Sequence, residues 1–97
     1  MAEEAPPFEL PLGDELDLHA FAPGDVTSVV EEYLAACRER GILRVRLVHG
    51  RGRGVQRAAV RALLARLSFV VGFDEAPPEL GGWGATFVTL ARRPDIG

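Results

Sequence analysis

Ile42-Leu43-Arg44-Val45-Arg46-Leu47-Val48-His49-Gly50-Arg51-Gly52-Arg53-Gly54 begins as a strand and ends as a glycine-rich turn. Leu43, Val45 and Leu47 alternate with Arg44, Arg46 and Val48, and a period of two puts one set on each face of a strand. Closely spaced glycines then break the pattern. From Val55 to Leu67 the apolar period becomes helical, with Val55, Ala59, Ala62, Leu63 and Leu67 as the expected buried face.

Upstream, Glu15-Leu16-Asp17-Leu18-His19 alternates in the same way and reads as an earlier strand. Between the two, Val26, Val29, Val30, Tyr33, Leu34 and Cys37 form one helical stripe inside Pro23–Arg40. Pro23 suits a first turn and Gly41 a left-handed stop. Downstream, 69–73 and 84–90 read as strands joined by a Pro- and Gly-rich connection. The order is βαβαββ, an α/β two-layer sandwich with a four-stranded mixed sheet and two helices on one face. A right-handed crossover makes the first two strands parallel neighbours. Residues 1–13 are expected to be a flexible acidic, Pro-rich arm, 14–93 the domain and 94–97 a tail.

Ninety-seven residues, 47% hydrophobic and 26% charged, suffice for one core and exclude a second domain. The single cysteine, Cys37, cannot close an internal disulfide, which suits a reducing compartment. Met1 to Pro11 lacks the basic and apolar regions of a secretion signal. No apolar run reaches the ~20 residues of a membrane span. A cytoplasmic protein that avoids membranes and works as a monomer is expected.

The net charge of −3 hides an asymmetry. No Asp or Glu lies between Arg40 and Phe73, yet Arg40, Arg44, Arg46, Arg51, Arg53, Arg57, Arg61 and Arg66 do. Every basic side chain of the chain is arginine. Its planar fork suits phosphate, although a genome rich in G and C produces the same bias.

Asp17 and His19, two apart in a strand, are expected to project together, and His49 ends the neighbouring parallel strand. Carboxyl ends are where open α/β sheets hold ligands. Histidine titrates near ~6.5 and can take or give a proton at neutral pH, and an aspartate can orient it. The competing reading pairs Asp17 with Arg44 or Arg46 and leaves both histidines as strand ends. Gly50, Arg51, Gly52, Arg53 and Gly54 read as a phosphate cradle at a helix N terminus, with Arg57 one turn on, or else as a plain surface loop. The Rossmann fingerprint fails because Val55 stands where its third glycine belongs, and the P-loop lysine is missing. In Gly81-Gly82-Trp83-Gly84-Ala85-Thr86 the tryptophan is suited to stack on a base or to cover a sheet edge.

Leu16-Asp17-Leu18-His19, His49-Gly50-Arg51-Gly52 and Gly81-Gly82-Trp83-Gly84-Ala85-Thr86, in this order over 14–90, resemble the small MutS-related (Smr) domain family. Ala20 departs from the glycine common at the end of the first motif. Members of that family nick or cleave DNA, or cleave messenger RNA on stalled ribosomes. The resemblance therefore implies an endonuclease with Asp17 and His19 catalytic, His49 assisting, and Gly50 and Gly52 in the glycine motif beside the basic Arg51. It also implies DNA or RNA as partner, and the ribosome as a candidate. On RNA a histidine base needs no metal. On DNA water must attack, and a single Mg2+ or Mn2+ held by Asp17 would help. The alternative function is a non-catalytic nucleic-acid or ribosome-binding module.

Overall fold

Val45 and Leu47 are wholly buried while Arg44 is exposed, so the alternation at Arg44–Val48 does what its period requires. A computed structural model describes residues 15–50 and 54–93. The expected arm at 1–13 and tail at 94–97, and loop residues Arg51, Gly52 and Arg53, lie outside the described residues. The elements are β1 (Glu15–Asp17), α1 (Val26–Glu39), β2 (Arg44–Val48), α2 (Val55–Arg66), β3 (Val70–Glu75) and β4 (Ala85–Leu90). They form one sheet in the order β1-β2-β4-β3. β1 and β2 are parallel, with Asp17 opposite Val48, and β4 runs antiparallel to both β2 and β3. The expected α/β sandwich with a four-stranded mixed sheet is the observed architecture.

Leu16, Val45, Leu47 and Val88 from the sheet meet Val30, Tyr33, Leu34 and Cys37 from α1 and Val60, Leu63 and Leu64 from α2 in one core. Each large apolar side chain buried in this way contributes roughly 1.5–3 kcal/mol. The edge strand β1 is tied down by Leu16 and by the Tyr33 hydroxyl, which donates to the Glu15 carbonyl at 3.1 Å.

Three expectations need correction. The first strand ends at Asp17, and Leu18–Ala20 is a 3-10 turn. Its cause is local: the Asp17 carboxylate caps the turn by accepting the His19 backbone N–H at 2.9 Å, a bond that competes with the β ladder. The first helix starts at Val26 because Pro23–Asp25 forms a separate 3-10 turn. The buried face of α2 is Val60, Leu63 and Leu64, with Leu67 partly buried; Val55, Ala59 and Ala62 are exposed. Residues 60, 63, 64 and 67 make the true i, i+3, i+4, i+7 stripe, turned by about 140° from Val55 at 100° per residue.

Candidate functional site

The two parallel strands end level with each other, so the turn after β1 and the loop after β2 are neighbours. Asp17 Oδ1 accepts two hydrogen bonds from one residue: the His19 backbone N–H and, at 2.8 Å, the His19 Nδ1–H. The pair comes from a capped turn and not from two residues on one strand face. The backbone N–H bond holds the Asp17 carboxyl below its ordinary range, with a smaller opposing effect of burial and further help from the His19 ring. A carboxylate at Nδ1 fixes the proton there and leaves Nε2 with its lone pair. The side chains remain open to solvent, 60% exposed for Asp17 and 62% for His19.

Nε2 faces the start of the glycine loop. A Cβ built on Gly50 would stand 2.6 Å from it, closer than any side chain allows, and Gly50 has φ +83°. The left-handed φ favours glycine, and a methyl there would also push the exposed imidazole away from its place. The loop start is also pinned to β4, because the Gly84 carbonyl accepts the N–H of His49 at 3.0 Å and of Gly50 at 2.9 Å.

His49 is placed differently from His19. It is 5% exposed, its Nε2 lies 2.9 Å from the buried Thr86 hydroxyl and its Nδ1 3.1 Å from the Gly50 carbonyl. An imidazole that donates from Nδ1 to a carbonyl must accept at Nε2, so Thr86 is the donor there. Burial lowers the His49 pKa below the usual histidine value; the Gly50 bond opposes this, and Arg57, Arg61 and His19 add repulsion. Both ring nitrogens are engaged, which leaves no free base. For His49 to assist in proton transfer, as expected from the sequence, its ring would have to give up one of these two bonds.

At the far end of the loop Gly54 has φ +80°, and a Cβ there would meet Trp83 Cη2 at 2.8 Å. Arg57, in the first turn of α2, stacks over the Trp83 ring at 4.6 Å and reaches Glu75 at 3.4 Å. No side chain of Gly54 can cap α2, and its first turn holds no acid, so its partial positive charge is not neutralised from within that turn. Asp17 pairs with neither Arg44 nor Arg46. Arg46 instead bonds Glu15 at 2.8 Å and the Leu80 carbonyl at 2.7 Å, and Arg44 stacks on Phe87 at 4.8 Å.

The three motifs thus converge: His19 from the first, His49 and Gly50 from the second, and Gly84 and Thr86 from the third. Thr86 is the contributor that sequence reasoning missed; a threonine within β4 gives no signal of a buried histidine opposite. Among the described residues no three of His, Cys, Asp and Glu stand together to hold a metal. Asp17 and His19 are only a pair. No described helix is long and apolar enough to cross a membrane.

A family model described as the Smr domain matches residues 16–91. Endonuclease MutS2 of Thermus thermophilus is 38% identical over 76 residues, covering 78% of this chain and 10% of that protein. Ribosome rescue factor SmrB of Pectobacterium atrosepticum is 32% identical over 76 residues, 78% of this chain and 42% of that protein. The crystal structure of the Smr domain of Thermus thermophilus MutS2 superimposes with a TM-score of 0.76 at 38% identity, over 84% of this chain and 100% of the other. YdaL of Escherichia coli, a stand-alone small MutS-related protein, does so with 0.71 at 25% identity, over 84% of this chain and 67% of the other. The chain spans 10% of the length of the MutS2 proteins it matches.

Proposed function

The chain belongs to the Smr domain family, and from that premise we propose that it binds nucleic acid and cleaves its phosphodiester backbone. The observation that carries this reading is the Asp17–His19 pair at 2.8 Å with Nε2 against Gly50: an oriented base beside a turn suited to an anion. Names of similar proteins, an endonuclease and a ribosome rescue factor, agree with it.

In this mechanism His19 Nε2 removes the proton of the attacking hydroxyl, either the neighbouring ribose 2′-OH in RNA or a water in DNA. The new P–O bond forms as the bond to the departing 5′ oxygen breaks, and solvent protonates that oxygen. Asp17 keeps the imidazole in the correct tautomer and balances its charge once it holds the proton. Gly50, Arg51, Gly52, Arg53 and Gly54 receive the phosphate with the N terminus of α2, and Arg57 adds charge. His49 acts through Gly50 as a positioning residue.

The test is incubation of the protein with labelled single-stranded RNA, duplex DNA and branched DNA, each with and without chelator. Cleavage that Asp17→Ala and His19→Ala both abolish is expected. Cleavage that survives in both variants would remove these residues from the chemistry. Binding without any cleavage by the unaltered protein would leave a non-catalytic module. Loss of activity with chelator would show that a divalent cation such as Mg2+ or Mn2+ is needed, and Asp17 is the carboxylate that would hold it.

A further inference from the structure

Two large apolar side chains break the surface beside the glycine loop: Val55 at 72% and Trp83 at 38% exposure. Trp83 lies against Gly54, the residue that precedes Val55 in the chain. Exposed apolar surface gathered at a polar site is a mark of a contact surface. Trp83 is not loosely held there: the Arg57 guanidinium covers its ring at 4.6 Å, the ring edge packs on Gly54, and Glu75 pairs with Arg57 at 3.4 Å. The ordering entropy of the indole is therefore met before any ligand arrives.

We propose that Trp83, backed by Arg57 and flanked by Val55, is a nucleobase-stacking subsite at the far end of the loop, so that the substrate is nucleic acid unpaired beside the bound phosphate. This deepens the nuclease reading and rests on it. Gly50 and Gly54 are the two ends of one loop: His19 lies against the first and Trp83 against the second. A phosphate at the N terminus of α2, where Gly54 is the N-cap residue, sits beside the indole packed on Gly54, so a base of the same strand can meet the ring. A base inside a duplex has both faces covered by its neighbours and cannot lie on an aromatic ring without first leaving the stack. Single strands, loops and ends have that face free. Stacking on an indole accepts any base, so the subsite selects for strandedness and not for sequence.

Trp83 is the only tryptophan in the chain, so its emission reports the subsite directly. Short unlabelled uridine and thymidine oligonucleotides are titrated into the unaltered protein and into His19→Ala, which keeps the strand intact, alongside a duplex of the same sequence at equal phosphate. Anisotropy of fluorescein-labelled copies records binding separately. The single strands are expected to quench the emission and the duplex to leave it unchanged. Trp83→Ala should weaken single-strand binding by roughly 5- to 150-fold and leave duplex binding as it was, whereas Trp83→Phe should retain the preference, with circular dichroism verifying both folds. Single-strand binding without quenching, or equal quenching by the duplex, would overturn the subsite. Binding and quenching without cleavage would overturn the nuclease reading and leave the subsite standing. Failure of every oligonucleotide to bind would remove both.

Discussion

The α-carbon of Gly50 lies so close to the imidazole of His19 that a methyl group on it would stand 2.6 Å from Nε2. Gly50→Ala is therefore expected to act in two ways. The left-handed φ of +83° costs an L side chain about 1–2 kcal/mol of stability, and the exposed imidazole gives way by leaving Asp17. A displacement of that kind should lower the cleavage rate by about 100-fold. Gly24→Ala is the control, since nothing lies within 4 Å of its added carbon. Equal activity of both variants would show that Nε2 does not work where it rests against Gly50.

Asp17→Asn keeps an oxygen able to accept the His19 backbone N–H while removing the negative charge. If Asp17 serves the imidazole electrically as well as by orientation, this variant should melt near the parent temperature and still lose rate. His19→Ala removes the base altogether, with an expected loss of about 10²–10⁴-fold, the usual range for a positioned acid or base. Single-turnover cleavage beside thermal melting tests the pair, and undiminished turnover by Asp17→Asn would reduce the carboxylate to a cap.

His49 predicts the pH dependence of stability. Its folded-state pKa lies below the ordinary value because the ring is buried, so on acidification the unfolded chain takes up the proton first. The stabilisation it contributes is complete above about pH 6.5 and is lost as pH falls below that value. Melting temperature should decline between about pH 7 and about pH 5.5, and His49→Gln should flatten that decline. The depressed Asp17 carboxyl acts elsewhere: its contribution is lost only as pH falls below the carboxylate range near 3.9. An unchanged slope in His49→Gln would dissociate the buried ring from the effect.

Leu64→Ala and Val55→Ala separate the two faces of α2. Leu64 is buried and its truncation should cost about 2–5 kcal/mol, the usual range for a core leucine. Val55 is exposed and its truncation should change folding stability by less than about 0.5 kcal/mol. Denaturant unfolding compares them, and a large loss in Val55→Ala would place it in the core after all.

The sheet was readable where a period of two met turn residues, as at Arg44–Val48, and so was the parallel first pair, because a helical crossover of this length allows little else. The face of α2 was not. Two alanines and a leading valine suggested one stripe, whereas burial is decided by where the sheet lies, and that is a tertiary fact. Asp17 and His19 were legible as partners, but strand spacing was the wrong reason; a side chain that caps its own turn ends the ladder two residues early. In sequence His49 reads as an assistant to His19. Only the fold brings Thr86, 37 residues away, to its other nitrogen.

β1 contributes three residues, lies at the edge of the sheet and carries Asp17 at its last position. Outer strands with few ladder bonds are among the first parts of a domain to fray. Peeling of that strand would separate the carboxylate from the glycine turn while the central hydrophobic layer stayed whole. Heating or mild denaturant should silence this protein before it unfolds it, and an assay of function would then report a lower midpoint than an assay of helix content.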